Sequence, residues 1–198
     1  MGAVRSAVGR RRPAQGWWSC ASAALAVCLF GASAPRAQEV TEPALKAAFV
    51  YNVAKFVEWP PAALPPAAQL TICVLNDRQF IEELTRAVKD RALLGHGITV
   101  LRVEPDGPFR SCHVLYVSGT PPARVAAIAQ ALADAPVLTI GDLDDFVKNG
   151  GIARLFFQNG RLRLDVNLGG ARRSQLRINS RLLALAAHVF DGPLGREP

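Results

Sequence analysis

Four short apolar runs constrain this chain more than anything else in it: LTICVL at 70–75, ITVLRV at 98–103, CHVLYV at 112–117 and PVLTI at 136–140. Each is long enough for a buried strand and too short for a buried helix. The first and third pairs are separated by segments with helix signals. Asn76-Asp77 offers N-cap side chains before a helix over 78–90, and Pro121-Pro122 opens another over 122–134. Strands that alternate with helices predict a mainly parallel sheet with helices on both faces. The turn Pro105-Asp106-Gly107-Pro108 leads from the second strand to the third, and Gly141-Asp142 begins a short helix that runs to Lys148.

The strands at 152–158 and 161–167 flank Asn159-Gly160, the dipeptide that a type I′ turn favours. Pairing Gln158 with Arg161 fixes the register. Phe157, Leu155 and Ala153 then face Leu162, Leu164 and Val166, while Arg154 faces Asp165 and Phe156 faces Arg163. One side is apolar and the other carries an opposite-charge pair, as a half-covered antiparallel hairpin requires. Gly169-Gly170 ends the hairpin, and a terminal helix capped by Asn179-Ser180 carries Leu182, Leu183, Leu185, Ala186 and Val189. The predicted class is α/β: a mainly parallel sheet flanked by helices, with a C-terminal antiparallel hairpin and a terminal helix.

Upstream of the first strand, 43–58 reads as a helix whose stripe is Leu45, Ala48, Phe49, Asn52, Val53 and Phe56. Tyr51 and Trp59 fall off that stripe. They present either an exposed aromatic pair for a partner or, for Trp59, an anchor for the Pro/Ala linker at 60–68.

The formal charge of +7 suggests a polyanionic partner until its location is considered. Residues 1–37 hold Arg5, Arg10, Arg11, Arg12 and Arg36 and no acid. Without them, 18 basic residues stand against 16 acidic ones, a net of +2. A near-neutral body gives no electrostatic reason to expect nucleic acid. The leader has the parts of an export signal: arginines 10–12, an apolar stretch at 17–32, and small residues before a cleavage site after Ala37. The expected organisation is a signal peptide at 1–37 and a single domain at 38–198. A retained anchor is the alternative, disfavoured because the apolar stretch is short.

Export bears on the cysteines. Cys20 and Cys28 lie in the leader, leaving Cys73 and Cys112 in two predicted strands. They are either disulfide-bonded or two buried thiols, and an oxidising compartment favours the bond. Neither spacing nor neighbours match a zinc site. Catalytic motifs are missing: no G-x-S-x-G, P-loop, H-E-x-x-H or G-x-G-x-x-G occurs. His96, His113 and His188 have no adjacent acid–nucleophile arrangement, so structural roles are expected. Asp142, Asp144 and Asp145 read as a solvated helix start, not a cation site. Neither a cofactor nor a metal is expected, and the chain is read as no enzyme. Arg172, Arg173, Arg177 and Arg181 are the remaining feature. The last three repeat every four residues, so a continuous helix would stack them toward an acidic partner or lipid headgroups, unless Arg177-Ile178-Asn179-Ser180 breaks it.

The stretches ALKAAFVYNVAKFVEWP at 44–60, LTICVLND at 70–77, CHVLYVS at 112–118 and VLTIGDLDDFVKNGGIARLFFQNGRLRLDVNLGGARRSQLRINSRLLALAAHV at 137–189 together resemble the YfiR family of periplasmic proteins. The resemblance implies a periplasmic regulator that represses a membrane-bound diguanylate cyclase through the cyclase's periplasmic region, lowering cyclic di-GMP and affecting biofilm formation. It also makes disulfide pairing and a homodimer reasonable expectations. The rival reading is a periplasmic protein that binds a small ligand or cell-wall fragment at the carboxyl ends of the parallel strands, after Leu75, Val117 and Ile140.

Overall fold

A computed structural model of the protein describes residues 41–75 and 77–192; the expected signal peptide lies outside them. Helix α1 (Glu42–Ala54) starts at Thr41, whose hydroxyl accepts the Ala44 N–H, and carries Pro43 in its first turn. It ends four residues earlier than predicted. Val57–Glu58 form instead a short strand, β1, antiparallel to β9 (Arg177–Ile178). The expected stripe is also wrong. Ala47, Val50, Tyr51, Val53 and Ala54 are buried, whereas Phe49 and Phe56 are half-buried. Almost every residue from Ala44 to Val57 is apolar, so periodicity could not choose between faces.

The main sheet has eight strands: β2 (Leu70–Leu75), β3 (Ala92–Leu93), β4 (His96–Val103), β5 (Val114–Val117), β6 (Leu138–Gly141), β7 (Ala153–Gln158), β8 (Arg161–Asn167) and β10 (His188–Phe190). Their spatial order is β10-β8-β7-β6-β5-β2-β4-β3. The parallel strands β4, β2, β5 and β6 form its centre. The chain leaves β2 through α2 (Arg78–Val88) to β4 on one side, then returns past β2 to β5 on the other. That reversal puts a topological switch point between the carboxyl ends of β2 and β5.

Alternation along the strands divides the core. Leu70, Ile72, Val74, Val114 and Tyr116 pack with α1 and α2. Cys73, Leu75, Leu115 and Val117 pack with Val125, Ile128 and Leu132, on or next to α3 (Pro122–Ala131), on the other face. Both faces are covered, which is why these strands read as unbroken apolar runs rather than as alternating ones.

The β7–β8 hairpin forms with the predicted register, from Ala153↔Val166 to Gln158↔Arg161. Asn159 and Gly160 have φ of 52° and 70°, as a type I′ turn demands. Beyond it three expectations fail. Residues 142–150 form turns instead of a short helix. Gly169 and Gly170 lie inside α4 (Leu168–Arg173), because the Asn167 side chain accepts the Gly170 N–H and starts a helix there. The terminal helix α5 (Ser180–Leu185) is short, and Val189 lies in β10, parallel to β8.

Candidate functional site

The switch point is the natural place to look for binding chemistry, and three segments meet there as expected. Asp77 caps α2 by accepting the Phe80 N–H at 2.9 Å. The cap brings the Phe80 ring onto Tyr116 of β5, stacked with centroids 3.8 Å apart. From the end of β6, Asp142 Oδ2 accepts Lys46 Nζ at 2.8 Å and the Tyr116 and Ser118 hydroxyls at 3.3 Å each. Lys46 comes from α1 and also pairs with Glu42 at 2.7 Å. Burial alone would lower the Lys46 pKa, but the hydrogen bonds and charges of Asp142 and Glu42 outweigh it and raise the pKa above its usual value. Burial raises the Tyr116 hydroxyl far above its ordinary range, and the Asp142 charge adds to that. Asp142 is therefore no solvated helix start. It is the acceptor of a partly buried cluster that ties α1 to the end of β6.

A second polar cluster lies on the outer face of the hairpin. Asp165 is buried and accepts Arg154 Nη1 at 3.3 Å and His188 Nδ1–H at 2.8 Å. Arg154 Nη2 reaches Asp144 at 2.6 Å, and its guanidinium lies 4.4 Å from the centre of the Phe156 ring. The Arg154–Asp165 pairing was legible from the hairpin register. The contribution of His188 was not, because β10 was read as helix.

The other histidines are structural. His113 Nδ1 accepts the Thr71 N–H at 3.0 Å, so Nε2 carries the proton and donates to the Ala63 carbonyl at 3.1 Å. His96 Nδ1–H donates to the Ala68 carbonyl at 2.8 Å. Among the described residues no group of three His, Cys, Asp or Glu side chains is placed to hold a metal ion.

Cys73 and Cys112 form a disulfide, with Cα atoms 5.8 Å apart, within the usual span. Both residues are buried on the α3 face. The exposed aromatic pair does not exist. Tyr51 is buried, donates to the Ala92 carbonyl at 3.2 Å and lies under Lys55. Trp59 is buried and its indole N–H donates to the His113 carbonyl at 3.1 Å. With the His113–Ala63 bond, this fixes the Pro/Ala segment onto the domain.

The four arginines are not stacked on one helix, since β9 interrupts it. Arg172 and Arg173 end α4, Arg177 is in β9 and Arg181 is in α5. All four are exposed. Arg172 pairs with Asp191 at 2.6 Å and Arg177 with Glu58 at 3.9 Å. Arg173 lines an open cavity of about 380 Å³ with Lys148, Asn149 and Ser174.

The strand order and the two covered faces define a doubly wound α/β domain with a hairpin extension. The YfiR/HmsC-like family matches residues 43–187, and the chain belongs to it. That family comprises periplasmic, non-catalytic regulators of cyclic di-GMP signalling. Among solved structures, the chain is similar to a conserved domain protein from Vibrio cholerae O1 biovar El Tor strain N16961. The TM-score is 0.54 at 14% identity, over 75% of this chain and 60% of that one, a likeness of fold. The chain thus spans under two thirds of that protein's length. No curated protein matches the sequence. No described helix is long and apolar enough to cross a membrane.

Proposed function

We propose that the protein represses a membrane-bound diguanylate cyclase by binding the cyclase's periplasmic region, and so lowers cyclic di-GMP. The observation that carries this reading is the family match across 43–187, which takes in nearly every described element. The mechanism is differential binding: the protein stabilises the inactive state of its partner, and an envelope signal changes that affinity. The surface offered to the partner is the basic stretch of α4, β9 and α5, where Arg172, Arg173, Arg177 and Arg181 face solvent. The same reading takes residues 1–37 as a signal peptide removed on export, and a homodimer as the unit that binds.

The internal Lys46–Asp142 pair argues against the rival reading of a small ligand at the strand ends, because a ligand there would have to displace it. Deleting the gene should raise cyclic di-GMP, and re-expression with Arg173 and Arg181 both changed to Glu should fail to restore the low level. An unchanged level in the deletion strain sinks the proposal. Size-exclusion with light scattering reports the homodimer.

A further inference from the structure

Only one side of β4 is satisfied along its length. On the inner side β2 pairs with all of Ile98–Val103. On the outer side β3 reaches only His96 and Gly97. Leu93 and His96 close the two-residue turn Leu94-Gly95, whose φ values are 53° and 86°. The closing pair of such a hairpin exchanges both backbone hydrogen bonds, so the His96 N–H and C=O point outward to β3. Backbone direction alternates along a strand, so those of Ile98, Val100 and Arg102 point the same way, past the end of β3. Among the described residues no strand receives them. Edges of this kind are ordinarily blunted by charges, proline or a bulge. Here the run ITVLRV carries one charge, Arg102. Leu101 shares the α3 face with its neighbour Cys73, yet it is 45% exposed. On the other face α2 stands back from the edge, leaving an open groove of about 650 Å³ walled by Ile81, Thr85, Val88, Ile98 and Val100.

We propose that the β4 edge pairs with β4 of a second copy, antiparallel about a twofold axis, and joins two eight-stranded sheets into one. Three features fix the register. Ile98, Val100 and Arg102 must meet residues of the same outward-facing set, which Glu104 continues in phase. β3 occupies the edge beside Gly97, so the incoming strand must end opposite Ile98. The chain turns after Glu104, whose carbonyl accepts the Gly107 N–H at 2.9 Å. The second copy's Glu104 therefore lies opposite Ile98, its Arg102 opposite Val100, and its Leu101 opposite Leu101 on the axis. Leu101 then falls in a non-hydrogen-bonded pair, where side chains approach most closely, and each leucine covers the other. Charge agrees with this orientation. α2 returns antiparallel to β4, so Lys89 and Arg91 flank the groove at its Ile98 end and Glu82 at its Arg102 end. Glu82 and Glu104 are held only by exposed pairs, to Arg78 at 3.5 Å and to Arg102 at 3.4 Å. The twofold brings the second copy's Glu104 to Lys89 and Arg91, and the reverse. Both copies use the same edge, so association closes at two chains. The inference names the face of the homodimer in the preceding reading; it rests on that dimer and not on the cyclase.

The test is light scattering and amide hydrogen exchange on the exported protein. The wild type should have twice the chain mass. The amides of Ile98, Val100 and Arg102 should be protected, as are the β2-bonded amides of Thr99, Leu101 and Val103. Leu101→Lys and Leu101→Glu each remove the leucine pair and set like charges opposite one another, and each should weaken the dimer at least about tenfold. Mixed in equal amounts, the two variants should dimerise again, because ammonium meets carboxylate on the axis. In either variant alone, Ile98, Val100 and Arg102 should exchange freely while Thr99, Leu101 and Val103 stay protected, which separates lost pairing from lost folding. A monomeric wild type overturns the proposal together with the homodimer. A dimer that neither variant weakens, or that the mixture fails to restore, overturns this face and leaves the homodimer standing. Monomers with protected Ile98, Val100 and Arg102 amides overturn it too, since another segment of the same chain then covers the edge.

Discussion

Breaking the Cys73–Cys112 bond should cost about 4 kcal/mol of stability. The bond joins residues 39 apart, and in the chain-entropy account a closed loop of that length removes roughly 13 cal/mol/K from the unfolded ensemble. For a domain of this size, 4 kcal/mol corresponds to a drop of about 8–16 °C in thermal midpoint. The bond lies under α3 among Leu75, Leu115 and Val125, so cutting it leaves two buried thiols in an otherwise intact layer. The loss should therefore come mainly from the unfolded state. Urea denaturation of oxidised and fully reduced protein separates this from packing damage. Reduction should lower the extrapolated stability and raise the m-value, because the released unfolded chain exposes more surface. Cys73→Ala, Cys112→Ala and the double variant should lose nearly the same amount, since one cross-link can be removed only once. A reduced protein within about 1 kcal/mol of the oxidised form, or single variants whose losses add, would refute the cross-link argument.

Phe146 sits between two glycines that have no room for a side chain: a Cβ on Gly151 would come within 2.2 Å of its ring and one on Gly141 within 2.4 Å. Gly151→Ala should cost about 1–3 kcal/mol in chemical denaturation, and pairing it with Phe146→Leu should recover at least about 1 kcal/mol of the summed losses. Stability should also fall as pH rises through 10 to 11. Tyr116 and Lys46 both have folded pKa values above the ordinary 10.0 and 10.5, so the unfolded chain releases protons that the folded one keeps. The slope approaches about −1.4 kcal/mol per pH unit for each proton so retained, and Tyr116→Phe with Lys46→Met should flatten it; an unchanged slope would remove the cluster from the account.

How much of this could be read from the sequence depended on how locally each feature is determined. The hairpin was legible to the residue because Asn159-Gly160 sets both turn and register, and the register placed Arg154 opposite Asp165. The strands β2, β5 and β6 were legible because burial on both faces makes them continuously apolar. Boundaries failed where a tertiary partner decided the outcome. Val57–Glu58 leave the helix to pair with Arg177–Ile178, and His188–Phe190 leave theirs to pair with β8, although neither segment carries a strand pattern of its own. Tyr51 was misplaced for a related reason: its hydroxyl finds the Ala92 carbonyl, which no local rule could supply, whereas Trp59 packs on the domain and anchors the Pro/Ala segment, the second of the two roles open to it. Lys46 was missed as a site residue because its partner, Asp142, is 96 positions away.

That long-range pair bears on where a protein of this fold can bind. In an open α/β sheet the crevice at the switch point is the default ligand site. Here Asp142 already accepts from Lys46, Tyr116 and Ser118, and the Lys46 side chain is only 13% exposed. Removing one partner of such a pair leaves a charge with little access to water, a loss of several kcal/mol that an incoming ligand would first have to offset. The basic stretch on α4, β9 and α5 carries no such penalty: its ion pairs are exposed, and exposed pairs hold little energy. Binding there costs only the ordering of surface side chains, so recognition is cheaper on the basic stretch that follows the hairpin than at the strand ends.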